Sequence, residues 1–400
     1  MIDFDFKKDC TGCRACGDVC PKSCISYVED RDGFIIPYVN KETCIDCKRC
    51  EQICPSLKKS ENTTVIAKCY SAYHIDSDIR REGSSGSVFY ALADSIIQNG
   101  GAVYGAAFDE NLQLHHTRTS DMDGVMKQMK SKYIQSDTTG IYKQVIRDLQ
   151  DGKEVLFVGT PCQSLALHSL VPTRLRDKLL LVDIICHGVP SQSLFNQSIH
   201  QYEVTHSCKV TGFSFREKTA SSLRNYKIEY TAADGVNHTK VGDLDDIPYC
   251  LGFFYQITKR NSCYDCKQRS INRASDITLG DFWGINKLKP EIEDFEQGYS
   301  SVITNTTKGE QSITGLKSCV VSQIKDGVSF VVDHNHAYTK ADEKSLRRSL
   351  FFFCLRHFGY SFCEKHFLQK RPKVTDRLLN SGIIRIDRVI NHIQPLWRKR

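Results

Sequence analysis

The chain has 400 residues, enough for two or three domains with a sizeable core. Its apolar fraction of 40% is ordinary. Its densest apolar run, Leu179 to Ile185, is strand-sized, so no transmembrane segment is expected. The formal charge of +7 counts nineteen Cys as neutral and falls mainly near the C-terminus, which leaves nucleic-acid binding without support. No basic region followed by an apolar run opens the sequence, so no signal peptide is expected. Many Cys in a reducing, cytoplasmic setting point to metal binding rather than disulfides.

In chain order, the first feature is a pair of identical Cys runs. Cys10 to Pro21 reads C-T-G-C-R-A-C-G-D-V-C-P, and Cys44 to Pro55 reads C-I-D-C-K-R-C-E-Q-I-C-P. Each is C-x2-C-x2-C-x3-C-P, the spacing of two-cluster bacterial ferredoxins, in which the fourth Cys of each run serves the other cluster. The expected sets are therefore Cys10, Cys13, Cys16 and Cys54 for one 4Fe-4S cluster, and Cys44, Cys47, Cys50 and Cys20 for a second. A zinc site or disulfide knot fits less well, because zinc favours paired C-x2-C or added His. Asp30 to Asn40, with Gly33, is expected to form a hairpin. Cys24 falls outside the spacing and reads as a buried apolar thiol. Residues 1–58 thus form a ferredoxin-like α+β domain, and polar Leu57 to Thr64 reads as a linker.

An α/β domain with a mixed, largely parallel sheet is expected over 66–290. Lys68 to Tyr73 reads as a strand. Glu82-Gly-Ser-Ser-Gly-Ser87 then leads into a helix with apolar spacing at Phe89, Leu92, Ala93 and Ile96. Ala102 to Phe108 and Leu112 to Thr119 read as a hairpin, and Gly140 to Leu149 as a helix. Glu154 to Val158 and Leu179 to Ile185 are strand-length, apolar on both faces and separated by a helix at Gln163 to Leu170, the sign of buried parallel strands. A helix from Ser191 follows, then strands at Val210 to Phe215 and Tyr226 to Tyr230, with a turn at Asp234-Gly235 before another. Beyond Asp281 the pattern reads as irregular. Residues 291–400 are expected to be a helical, basic extension. Ile383, Ile386, Ile390 and Ile393 share a helical face there, with Arg on the others; such a helix packs on protein or touches an anionic membrane surface peripherally.

Four further Cys stand where ligands gather. Cys162, in Gly159-Thr-Pro-Cys-Gln163, and Cys186, in Cys186-His-Gly188, follow the two buried strands. Crevices beyond the carboxyl ends of such strands bind ligands. Cys263 and Cys266 form C-Y-D-C, so the four make a full set of thiolates. The alternative is four buried core thiols. A Gly/Ser loop opening a helix presents N–H groups and the positive dipole end to a phosphate, although an ordinary turn with a serine cap looks the same. No G-x-G-x-x-G follows a strand, so an NAD site of that kind has no support.

The order of E-G-S-S-G-S at Glu82, S-K-Y-I-Q-S at Ser131, G-T-P-C-Q at Gly159, C-H-G-V-P-S at Cys186, C-Y-D-C at Cys263 and D-I-T-L-G-D-F-W-G at Asp276 resembles the beta subunits of coenzyme F420-reducing hydrogenases and F420-dependent dehydrogenases. The likeness covers about residues 65 to 290. It implies a third 4Fe-4S cluster on Cys162, Cys186, Cys263 and Cys266. It also implies FAD against Gly83, Ser84, Ser85, Gly86 and Ser87, and against Ser131, Lys132, Tyr133 and Ser136. Lys132 would add charge near the pyrophosphate, and Tyr133 would stack on a ring. Asp281 either contacts the cofactor or caps a turn. His115, His116, His168 and His187 lie in this region, with no acid–base role readable from sequence. The expected activity is an iron–sulfur flavoprotein oxidoreductase. It would relay electrons between the clusters and FAD, and onward to deazaflavin F420 or a pathway-specific substrate, as in polysaccharide biosynthesis. An electron-transfer subunit working with a redox partner protein, or a structural iron–sulfur scaffold, remain the alternatives.

Overall fold

A computed structural model describes residues 2, 5–58, 67–219, 222–292 and 294–370. The strands in chain order are β1 (Ile25–Glu29), β2 (Ile35–Val39), β3 (Lys68–His74), β4 (Ala102–Phe108), β5 (Leu114–Thr119), β6 (Val155–Gly159) and β7 (Leu179–Ile184). After them come β8 (Cys208–Thr219), β9 (Ser222–Ala232), β10 (Asn237–Asp243), β11 (Ile277–Asp281), β12 (Ser300–Thr304) and β13 (Cys319–Ile324). The β1–β2 hairpin belongs to the ferredoxin-like region. Strands β10-β9-β8 form a separate antiparallel ribbon. The main sheet runs β13-β3-β12-β11-β7-β6-β4-β5.

Its centre is parallel and its flanks antiparallel: β11, β7, β6 and β4 run together, while β12, β3, β13 and β5 pair against their neighbours. The two apolar runs explain that centre. Along β6 and β7, Val155, Phe157, Leu179 and Leu181 face one core with the helix Ile141–Gln150, while Leu156, Leu180 and Val182 face another with the helix Val88–Gln98. A strand covered on both faces needs apolar residues at every position. The carboxyl ends of β6, β7 and β11 consequently open on one edge of the sheet, where Cys162, Cys186 and Asp281 follow.

Two expectations are corrected. The pattern past Asp281 is regular: β12 inserts between β11 and β3, and β13 closes the edge beside β3. The boundary expected near 290 therefore cuts through the sheet. The sequence hides β12 because Ser300-Ser-Val-Ile-Thr304 is mostly polar by type yet buried throughout. Ser300 and Ser301 are 4% and 0% exposed. Secondly, the extension is not only helical. It ends in the helix Leu346–Phe367, interrupted at Gly359 by a φ of 78°, which glycine adopts without a Cβ penalty. The expected linker falls largely on residues 59–66, and the amphipathic stretch 382–393 on 371–400; both lie outside the described residues. Among the described residues, no helix is long and apolar enough to cross a membrane.

The terminal helix is part of the core. Phe351 and Phe352 are 0% and 1% exposed and join the cluster that contains Phe195, Phe215 and Tyr249. Phe352 also meets Phe34 of the ferredoxin-like region, ring centroids 5.9 Å apart. Buried Arg348 lies over Phe352 and donates to Lys259 O at 2.9 Å. Asp32 accepts ion pairs from Arg348 and Arg356. Replacing Phe352 by Ala removes packing on both regions at once. Unfolding in urea, followed by circular dichroism, should show a loss of about 3–5 kcal/mol, in the range of large-to-small core changes.

Candidate functional site

The duplicated Cys runs fold as duplicated loops. Arg14 and Lys48 occupy the same place in each run, and each takes a left-handed conformation, φ 58° and ψ 7° or 8°. That reversal turns the flanking thiols inward. Cys10, Cys13, Cys16 and Cys54 line one small cavity. Cys20, Cys44, Cys47 and Cys50 line another. The fourth thiol of each set comes from the other run, as the spacing predicts. Cys24, read from sequence as an apolar thiol, is buried but lines the second cavity as well.

The chemistry of these donors fits a cationic cluster core. Burial pushes the thiols of Cys10, Cys13 and Cys54 upward, and that of Cys16 to about 12, with neighbouring Cys adding to most of these shifts. Four desolvated thiolates around one cavity need compensating positive charge, which iron supplies. Among the described residues, no group of three or more His, Cys, Asp or Glu converges on a single metal ion.

The second constellation assembles from distant segments. Cys162 sits in the first turn of the helix Pro161–Leu170, capped by Thr160 and Gln163. Cys186 follows β7. Cys263 and Cys266 come from a tight 3-10 turn and the residue that caps it. All four line one cavity, of about 50 Å³. Gly188, at φ 97°, is required here: a Cβ would stand 2.7 Å from Lys259 Cδ and 3.0 Å from Cys263 Cβ. Burial raises the Cys162 thiol well above its ordinary range, and the nearby Cys13 thiol adds to that; burial lifts Cys186 to about 11.

The ferredoxin-like region is bonded into this site. Thr138 Oγ1 and Tyr142 Oη both donate to Cys13 O, at 2.7 and 2.8 Å. Asp18 accepts from Gly140 N and Tyr142 N at 2.9 and 3.1 Å, capping the helix Ile141–Gln150. Ser262 Oγ donates to Cys10 O at 2.9 Å, next to Cys263. Thr11 lines both the Cys10 cavity's wall and the Cys162 cavity's wall.

A fourth cavity, about 470 Å³, opens along the carboxyl edge of the sheet. Gly83, Ser84, Ser85, Ser87, Ser131, Lys132, Tyr133 and Ser136 all line it. Gly86 does not. It packs against the sheet, where a Cβ would meet Ala72 O at 2.1 Å, and its N–H donates to Ser300 Oγ at 2.9 Å. Ser84 Oγ accepts from Ser131 N at 2.7 Å, joining the two segments. Ser87 starts the eleven-residue helix Val88–Gln98 without a side-chain cap, because its hydroxyl donates backward to Ile79 O at 2.8 Å. First-turn N–H groups of that helix are left for an anion.

Lys132 and Tyr133 differ from the sequence expectation. The Lys132 amine donates to the carbonyls of Gln128, Met129 and Lys130, at 3.0, 2.5 and 3.2 Å, at the end of a helix. Burial lowers its pKa to about 7. Tyr133 has one face covered by Phe253, stacked at 4.9 Å. The cation that sequence reasoning missed is Arg216 on β8. Its guanidinium is 7% exposed and donates to Ser84 O and to Asp281 Oδ2, each at 2.8 Å. Lys218, two residues on, donates to Arg80 O, Ser85 O and Gln297 O. A basic residue alternating with Phe213 and Phe215 on a strand is the signal that was present. Asp281 thus lines the cavity as the partner of Arg216. His116 and His187 line it too, whereas His115 pairs with Asp109 at 3.3 Å. Cys186 and Gly188 belong to both the Cys162 cavity and this large one.

Cluster-forming thiols on a ferredoxin-like region and a mixed α/β sheet define an iron–sulfur electron-transfer protein. Residues 152–329 match the family model for the C-terminal part of the coenzyme F420 hydrogenase/dehydrogenase beta subunit, and residues 9–57 match a 4Fe-4S dicluster domain. The central part of the chain is therefore similar to the C-terminal part of that beta subunit, and a 4Fe-4S dicluster domain stands in front of it. The family match ends at 329, close after β13. Among solved structures, a chain of the xenon-derivatised F420-reducing NiFe hydrogenase complex from Methanosarcina barkeri is 18% identical, covering 70% of this chain and 90% of that one. Its TM-score is 0.43, too low to carry an argument. No curated protein matches.

His116 gives the site a pH signature. It is 4% exposed, its Nδ1 lies 2.8 Å from Ser136 Oγ, its Nε2 lies 3.1 Å from Val158 O, and burial lowers its pKa to about 4. The unfolded chain protonates first on acidification. The stabilising effect of neutral His116 is therefore complete above about pH 6.5 and is lost as pH falls towards 4, worth up to about 3 kcal/mol. His116→Gln should flatten this part of the stability profile, measured by anaerobic urea unfolding at pH 7 and pH 4.5.

Proposed function

We propose that the protein is an iron–sulfur flavoprotein oxidoreductase in which three 4Fe-4S clusters and FAD form one relay. The observation that carries this reading is the contiguity of the four cavities. The helix Ala15–Val19 with its cap residue carries Cys20 of the Cys20–Cys44–Cys47–Cys50 cavity and Cys16 of the Cys10–Cys13–Cys16–Cys54 cavity. Thr11 separates the latter from the Cys162 cavity, and Cys186 with Gly188 separates that from the large cavity. Electrons would travel in that order, in either direction.

In this reading, Ser84, Ser85 and the first turn of the helix Val88–Gln98 would hold the phosphates of FAD. Arg216 would keep the loop in place through the Ser84 carbonyl while its charge stays paired with Asp281. Bound FAD supplies the exchange between single electrons and a hydride. At about 470 Å³ the cavity lies within the usual volume of a small-molecule pocket, roughly 300–1,000 Å³. The organic partner of the hydride exchange would be deazaflavin F420 or a pathway-specific acceptor, as in polysaccharide biosynthesis. None of the nineteen cysteines is in a disulfide, in keeping with a reducing, cytoplasmic setting. A redox partner protein would exchange electrons at the exposed Cys47 end.

Anaerobically purified chain should contain about twelve irons and one flavin on four-iron stoichiometry. Cys162→Ala should lose about four irons and keep those of the dicluster domain. No flavin after reconstitution would end the flavoprotein reading. Full iron retention in Cys162→Ala would end the third-cluster assignment.

A further inference from the structure

The outer cavity, lined by Cys20, Cys44, Cys47 and Cys50, holds one thiol more than a cubane needs. Cys24 lines that cavity, is 7% exposed, and places its Sγ 3.3 Å from Sγ of Cys20. Cys44 lines the same cavity. The backbone builds this approach. Ser23 takes a left-handed φ of 50°, and its N–H closes on Cys20 O at 3.3 Å. Residues four apart are thereby folded back onto one another. Asn40 N then fixes the other side, donating to Cys24 O at 2.8 Å.

The duplication shows that this thiol is an addition. Cys20-Pro-Lys-Ser-Cys24 in the first run corresponds to Cys54-Pro-Ser-Leu-Lys58 in the second. The inner cavity is lined by four thiols alone, Cys10, Cys13, Cys16 and Cys54. The extra one stands at the cavity whose Cys47 is exposed, the end that oxidants in solution reach first.

We propose that Cys24 is an exchange ligand of the outer cluster, able to take the iron that Cys20 holds. The inference rests on the four-iron reading of the dicluster domain and adds a fifth thiol to it. The exchange balances without an oxidant. One Fe–S bond breaks at Cys20 and one forms at Cys24, the proton leaving Cys24 is taken up by Cys20, and no electron moves. The Sγ–Sγ separation lets the iron corner change hands with a small side-chain rotation and no rearrangement of β1, which begins at the next residue.

The test counts iron and sulfide in the full chain, purified anaerobically, and records EPR spectra after reduction. Alanine cannot coordinate iron. Cys24→Ala should keep the wild-type iron count. Cys20→Ala should keep it too, with an altered spectrum for one cluster. The double variant should lose about four irons. If Cys20→Ala loses as much iron as the double variant, or fails to accumulate where Cys24→Ala does, the exchange is overturned. A wild-type chain lacking the outer irons would overturn both this inference and the four-iron reading. A second measurement needs no change at Cys20. After brief peroxide treatment, then ferrous iron, sulfide and dithiothreitol, the wild type should regain more of the outer-cluster signal than Cys24→Ala. Equal recovery also overturns the proposal.

Discussion

The carbonyl of Cys13 is the point on which the architecture turns. It accepts two hydrogen bonds from Thr138 and Tyr142, both buried and both belonging to the sheet domain. A buried carbonyl left unpaired costs of the order of 1–3 kcal/mol, so the loop and the domain hold one another in register. Asp18, on the helix after Cys16, adds a charged acceptor to the same helix terminus. Cys13, Ala15 and Ile53 then join the core formed by Phe157 and Leu181. The first cluster loop is thus a layer of the sheet domain's core and not a module hung on a tether.

That packing explains which parts were legible in advance. Metal-ligand spacing is local, so the eight thiols of the runs, and even their crossed sharing, could be read from the residues. The β6 and β7 runs were legible because burial on both faces leaves them almost wholly apolar, with Asp183 the one charged residue. β12 was not, since Ser300, Ser301 and Thr304 are buried by satisfying hydroxyls inside a sheet, and side-chain type alone does not reveal that. Arg216 escaped for the same kind of reason. Its role comes from Ser84, Tyr133 and Asp281, which lie far from it in sequence. Lys132 shows the converse: a basic residue in a suggestive motif spends its donors on three nearby carbonyls. Cys24 was correctly expected to be buried, but burial does not distinguish a core thiol from one aimed at a cluster cavity.

The ribbon β8–β10 holds the Gly/Ser loop from above. Arg216 and Lys218 grip the carbonyls of Ser84 and Ser85, and Lys130 pairs with Glu82 and Glu217. Arg80 lies between the rings of Tyr73 and Tyr299, 4.1 and 4.6 Å away, and anchors the start of the same loop. Cations at the carbonyls of Ser84 and Ser85, with the Gly86 N–H spent on Ser300 Oγ, fix the loop where Ser84 and Ser85 line the cavity. Preorganisation of this kind spares the ordering cost when an anion binds.

The twin conformations of Arg14 and Lys48 show that the two ferredoxin loops are copies in backbone, yet they are not copies in surroundings. Around one, Cys13 and Cys54 are buried and Arg260 reaches the carbonyl of Cys10. Around the other, Cys47 is exposed. Reduction adds negative charge to a cluster, and water stabilises that charge better than a protein interior does. In the proposed two-cluster reading, solvent would favour an electron resting at the outer site, and the guanidinium of Arg260 would offset part of that preference. The duplication therefore copied a set of thiols without copying its surroundings, and the seat against the sheet is what sets the two copies apart.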